Sequence, residues 1–192
     1  MLMTKGQQLH LTKPDGHPLT LMSMNLGWKI ARDQGLLGPL GRRRRAHLGS
    51  FAVLYGHGRF IDVIFSDNPV SPDGSIEHSD GPMPDGIGAK DDRMFFFVQL
   101  SKLPSRADRI VFVVSSFAGS TFERVRSAHC RLVDESFGRE IARYTFAGGG
   151  KHTALIMAEV RRAHSDWHMT AIGEPAIGQT FDDLLQAIDR HS

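Results

Sequence analysis

Residues 71–100 read SPDGSIEHSDGPMPDGIGAKDDRMFFFVQL. The first part is built from Ser, Pro, Asp and Gly, which set or tolerate the dihedrals of tight turns, and the closing MFFFVQL is apolar and aromatic, as a strand is. The same change from turn chemistry to strand chemistry repeats along the chain. It predicts strands near residues 7–11, 19–25, 50–55, 59–65, 94–100, 109–115, 129–134, 139–146, 152–160 and 167–172, separated by Gly, Pro, Asp or Asn. Short strands at this spacing, without long helical segments between them, belong to an all-β fold and not to a βαβ fold. The expected architecture is a β-sandwich of two mostly antiparallel sheets. Because side chains alternate along a strand, Phe95, Phe96 and Phe97 cannot all face one core. Phe96 is expected to oppose the other two, under a loop or helix or as an exposed apolar contact.

Two short helices are expected. One lies near residues 121–126, where Ser120 and Glu123 have capping-box spacing. The other lies near residues 180–189, with Thr180 as N-cap, Asp182 and Asp183 in the first turn, and an apolar stripe at Phe181, Leu184, Leu185 and Ile188. That stripe should dock on the sandwich, with capture of another protein as the alternative.

At 192 residues, residues 1–192 are expected to form a single domain, burying roughly 70% of the unfolded surface. The longest apolar runs fall well short of the ~18 residues of a membrane span, and residues 1–11 lack the apolar core of a signal peptide. With a single cysteine, Cys130, no intramolecular disulfide can form. The expectation is a soluble cytoplasmic protein with Cys130 packed in a strand.

The net charge of +2 asks for no anionic partner overall. Arg42, Arg43, Arg44 and Arg45 are a local exception. They read either as a solvated loop or as a site for an acidic ligand, and with no interleaved aromatics they offer nucleic acid no stacking platform. Asp80, Asp85, Asp91 and Asp92 supply the hard oxygen ligands that Ca²⁺ takes, although Asp and Gly are also what turns are made of. The stretch does not fit the EF-hand pattern. The stretch Gly148-Gly149-Gly150-Lys151-His152-Thr153 lacks the P-loop spacing and reads as a flexible hairpin turn. None of the ten histidines falls in a zinc motif, and no Gly-x-Ser-x-Gly elbow occurs. Nothing here supports an enzyme, and magnesium-assisted phosphoryl chemistry lacks a phosphate cradle and a general base.

Several words occur in a fixed order: Lys5-Gly6-Gln7-Gln8-Leu9, Met24-Asn25-Leu26-Gly27-Trp28, Phe65-Ser66-Asp67-Asn68, Ser71-Pro72-Asp73-Gly74-Ser75-Ile76, Leu100-Ser101-Lys102-Leu103-Pro104, Arg109-Ile110-Val111-Phe112-Val113-Val114 and Gly138-Arg139-Glu140-Ile141-Ala142-Arg143-Tyr144. In order and spacing the chain resembles the tellurium-resistance TerD family of bacterial stress proteins over roughly residues 3–175. The resemblance implies a two-sheet sandwich with acidic loops gathered at one end, calcium bound there, and a non-enzymatic role in a stress-response complex with protein partners. It also marks departures from the family pattern. Lys29 follows Leu-Gly-Trp in place of Asp, and His47-Leu48-Gly49 stands where both carboxylates of an Asp-Leu-Asp word would be. Ser79-Asp80-Gly81 keeps one carboxylate of Gly-Asp-Asn, and Gly88-Ala89-Lys90-Asp91-Asp92-Arg93 keeps only the Asp pair of the final word. The implied site is one weak Ca²⁺ site at most, from Asp80, Asp91 and Asp92, with Asp85 as a substitute. The alternative function is a calcium-independent interaction or scaffold module using the basic run or the terminal helix.

Overall fold

The expected alternation closes into two six-stranded sheets packed face to face. The computed structural model describes residues 1–31, 48–81, 92–116, 121–147, 149–164, 166–178 and 181–190. The strands are β1 (Leu2–Met3), β2 (Gln8–His10), β3 (Met22–Ile30), β4 (Gly49–Gly56), β5 (Arg59–Ile64), β6 (Ile76–Asp80), β7 (Asp92–Val98), β8 (Arg109–Ser115), β9 (Val125–Asp134), β10 (Arg139–Ala147), β11 (Ala154–Ala163) and β12 (Asp166–Ala176), followed by the helix α1 (Phe181–Asp189). Sheet A has the order β1-β10-β9-β3-β7-β6 and sheet B the order β2-β12-β11-β8-β4-β5. All pairings between these strands are antiparallel except β1 with β10.

The burial pattern explains the letters. Strands β4 and β8 are buried on both faces and read as near-continuous apolar runs. Ala52, Leu54, Ile110, Phe112 and Val114 enter the core between the sheets. Phe51, Val53, Val111 and Val113 form a second cluster with Leu184, Ala187 and Ile188 of α1. The terminal helix therefore docks on the outer face of sheet B, as its apolar stripe predicts. Phe181 meets Phe51 edge-on at 5.5 Å, and Arg109 Nη2 donates to the Ile188 carbonyl at 3.4 Å, a cation at the helix C-terminus.

Three readings need correction. Phe96 does oppose its neighbours, but it is the one in the core: it is fully buried, with its ring 5.4 Å from Phe112, while Phe95 and Phe97 are half-buried on the outer face. The helix expected at residues 121–126 is only a single 3₁₀ turn, Phe122–Arg124. Thr121 Oγ1 spends its proton on Glu123 Oε2 at 3.0 Å instead of capping the backbone, and Val125 already starts β9; Ser120 and Thr180 lie outside the described residues. Finally, residues 149–153 are no hairpin turn. They carry the chain from β10 in sheet A to β11 in sheet B, and a Cβ at Gly149 would stand 2.2 Å from the Phe122 carbonyl oxygen.

Strand β6 lies inside the stretch read as a turn-rich acidic loop. The turn before it is fixed by Asp73, whose Oδ1 accepts from the Ser75 N–H and from Ser71 Oγ, both at 2.8 Å. Beyond that turn Ile76 and His78 point inward and pair β6 with β7 at Ile76↔Val98 and His78↔Phe96.

Candidate metal site

Asp80 ends β6 and Asp92 begins β7, at the same end of sheet A, with Asp80 in register with Met94. Asp85 and Asp91 lie outside the described residues, as do Arg42, Arg43, Arg44 and Arg45. The two described aspartates serve different faces of the sheet. Asp80 is half exposed, and its Oδ1 lies 3.6 Å from Nε2 of His78. His78 is buried between the sheets, its ring 4.7 Å from that of Phe96 and its Nε2 3.2 Å from Ser50 Oγ. Burial lowers the His78 pKa, and the Asp80 carboxylate works against that shift. Serine, histidine and aspartate are thus assembled, but both oxygens face the same ring nitrogen. A relay needs one nitrogen toward the nucleophile and the other toward the carboxylate.

Asp92 faces the opposite way. Its side chain is only 2% exposed, and its carboxylate is bracketed by two β9 residues. Arg131 donates to Oδ2 through Nη2 and, at 3.1 Å, through Nε; His129 Nε2 lies 3.0 Å from Oδ1. Glu140 on β10 extends the cluster, accepting from Arg131 Nη1 at 3.5 Å and from Arg143 Nη2 at 2.9 Å. Burial would raise the Glu140 carboxyl, but hydrogen bonds and charge from Arg143 and Arg131 outweigh it and hold the pKa below the usual range. Beside this cluster Asn25 and Ser23 are fully buried: Asn25 Nδ2 donates to Ser23 Oγ at 2.8 Å, and Ser23 Oγ to Glu135 Oε1 at 2.5 Å.

His129, Arg131 and Glu140 escaped the sequence reading. The one available signal was alternation: in Ala128-His129-Cys130-Arg131-Leu132 the polar residues share a face, but only the β3–β7 and β3–β9 registers bring that face to Asp92. Cys130 lies on the opposite face, fully buried as expected, with its thiol pushed up to about 12 by burial. Among the described residues no three His, Cys, Asp or Glu side chains converge as a ready metal cage, and no helix is long and apolar enough to cross a membrane.

The family model for the TerD domain matches residues 1–188. The chain belongs to the TerD family. Among its TerD relatives, tellurium resistance protein TerZ of Serratia marcescens is 35% identical over 184 residues, covering 95% of this chain and 93% of that one. Stress response protein SCP2 of Bacillus subtilis (strain 168) is 30% identical over 199 residues, covering 95% and 96%. Tellurium resistance protein TerD of Serratia marcescens is 33% identical over 184 residues, covering 92% and 91%. A crystal structure of a homologue of the telluride resistance protein TerD, from Streptomyces coelicolor A3(2), has the same fold, with a TM-score of 0.60 at 22% identity over 83% of this chain and 92% of that one. The stress-response and tellurium-resistance character of these relatives supports that general role for the chain.

Proposed function

We propose that this TerD protein acts in the cytoplasm as a non-catalytic stress-response module, binding protein partners, and that its acidic segment takes at most one calcium ion, weakly. The observation that carries the calcium part is the state of Asp92. A Ca²⁺ ion wants six to eight oxygens and enough negative charge to offset its own. Asp92 already shares its charge with the buried guanidinium of Arg131, so an incoming cation competes with one built into the fold. Asp80, Asp91 and Asp92, with Asp85 as a substitute, are the residues that would hold the ion. The basic run Arg42, Arg43, Arg44 and Arg45 is the candidate contact for an acidic partner. The apolar face of α1 is spent on sheet B, which leaves the sandwich surface and its loops, not the helix stripe, for such partners.

The role is tested by growth of a tellurite-sensitive bacterial strain with and without this chain. A gain in tolerance is expected, together with background-level nucleotide hydrolysis by the purified protein. No gain in tolerance, or turnover of a nucleotide, contradicts the proposal.

A further inference from the structure

At the end of sheet A away from Asp92, two turns flank a cavity of about 420 Å³. Strand β3 sets the separation: Gly27 pairs with Asp92, whereas Met22 pairs with Asp134, where the β9–β10 turn begins. The other turn follows β2. Gly16 N donates to the Lys13 carbonyl at 3.0 Å and Lys13 N to the His17 carbonyl at 2.8 Å, with Pro14 second in the turn and Gly16 at φ +84. Asp15 Oδ1 accepts from His17 N at 3.0 Å, and in the β9–β10 turn Asp134 Oδ1 accepts from Ser136 N at 2.9 Å. Each turn is fixed by its own aspartate, so the cavity between them is already formed.

We propose that this cavity binds a small phosphate monoester, held by Lys13 and Arg139. Both residues line it, and among the described residues neither charged group has an ion-pair or hydrogen-bond partner. The carboxylates on the same wall are committed elsewhere. Asp134 is buried and turned to the Ser136 N–H, and Glu140 accepts from Arg131 and Arg143. The charge left free at the cavity is therefore positive. An arginine fork beside a lysine point charge suits the several oxygens of a doubly charged phosphate better than a single carboxylate. Thr12 adds a hydroxyl donor, and Met1, Pro14 and Ile141 give the organic part of the ligand an apolar wall. The volume falls within the range of roughly 300–1,000 Å³ that small-ligand sites occupy. The proposal uses none of the aspartates of the calcium reading and none of the Arg42–Arg45 run.

The test is calorimetric titration of the whole protein with phenyl phosphate, with inorganic phosphate and phenol as the two halves of the probe. Phenyl phosphate should bind with a millimolar or lower Kd, more tightly than inorganic phosphate, and phenol should give no heat. Binding should weaken as sodium chloride is raised. Lys13→Gln and Arg139→Gln should each cost about tenfold in affinity, and the double variant should abolish binding. Lys151→Gln, a cation beyond the far end of β10, should leave it unchanged. The thermal midpoint of each variant reports its folding, and either single variant serves if the double one is unfolded. No binding at ~10 mM phenyl phosphate, phenol binding equally well, binding that the Lys13 and Arg139 substitutions leave unchanged, or an equal loss in Lys151→Gln overturns the proposal.

Discussion

Arg131 and Asp92 neutralise each other where water hardly reaches, so neither can be removed without leaving the other charged and buried. Truncating one partner of such a pair typically costs ~3–5 kcal/mol, while replacing both costs less than the sum. Urea denaturation of Arg131→Met, Asp92→Asn and the double variant should therefore show strong coupling; two independent, additive losses would mean that the pair is not the unit described. His78 and His152 make a second demand at this scale. Burial lowers both pKa values below the ordinary ~6.5, so the folded protein prefers them neutral. The unfolded chain takes up protons first, which makes their contribution to stability full above pH ~6.5 and lost as pH falls from there through the folded-state values. His152 packs its ring on Phe122 at 4.8 Å, and its Nε2 is buried without a hydrogen-bond partner, so protonation has no compensation there. The thermal midpoint should be lower at pH 5 than at pH 8, and the difference should shrink in His152→Phe. An unchanged difference would place the acid sensitivity elsewhere.

At the scale of elements, β12 bends where Gly173 sits at φ +60, beside the register shift between Ile156 and Ala158. A Cβ there would stand 1.9 Å from Tyr144 Oη of the opposite sheet, so conformation and contact both require glycine. Gly173→Ala should cost roughly 2 kcal/mol or more in chemical denaturation, and a neutral result would show that the bend relaxes freely. Helix α1 covers the outer apolar face of sheet B, and Leu184→Ala, a fully buried truncation, should cost about 2–5 kcal/mol. Only if α1 were a loosely held appendage would that change leave the midpoint of the sandwich where it was. The helix was legible because its stripe, its acidic first turn and its length agree. The 3₁₀ turn at Phe122–Arg124 was not, because capping-box letters state a local preference that the following strand overrides.

For the whole molecule, alternation, turn residues and the number of strands carried the all-β class and the two-sheet sandwich, and the ordered family words implied the same architecture. Neither could show which side of each strand meets the core. Phe96 was therefore assigned to the wrong face, and β6, whose letters IEHSD alternate only weakly, was merged with the loop around it. The site was less legible still. Asp92 reads as a calcium ligand by its neighbours in sequence, and what it touches is Arg131, 39 residues away, through strand registers that no local pattern encodes. If Arg131 competes with calcium for Asp92, as proposed, calcium calorimetry on the full protein reads that competition most directly. The expected result is no heat, or one weak site more than tenfold poorer than in a family member with all its aspartates, since each charged ligand lost commonly costs at least ~1.4 kcal/mol. Two tight sites, or a tight one that survives Asp91→Ala with Asp92→Ala, would contradict it.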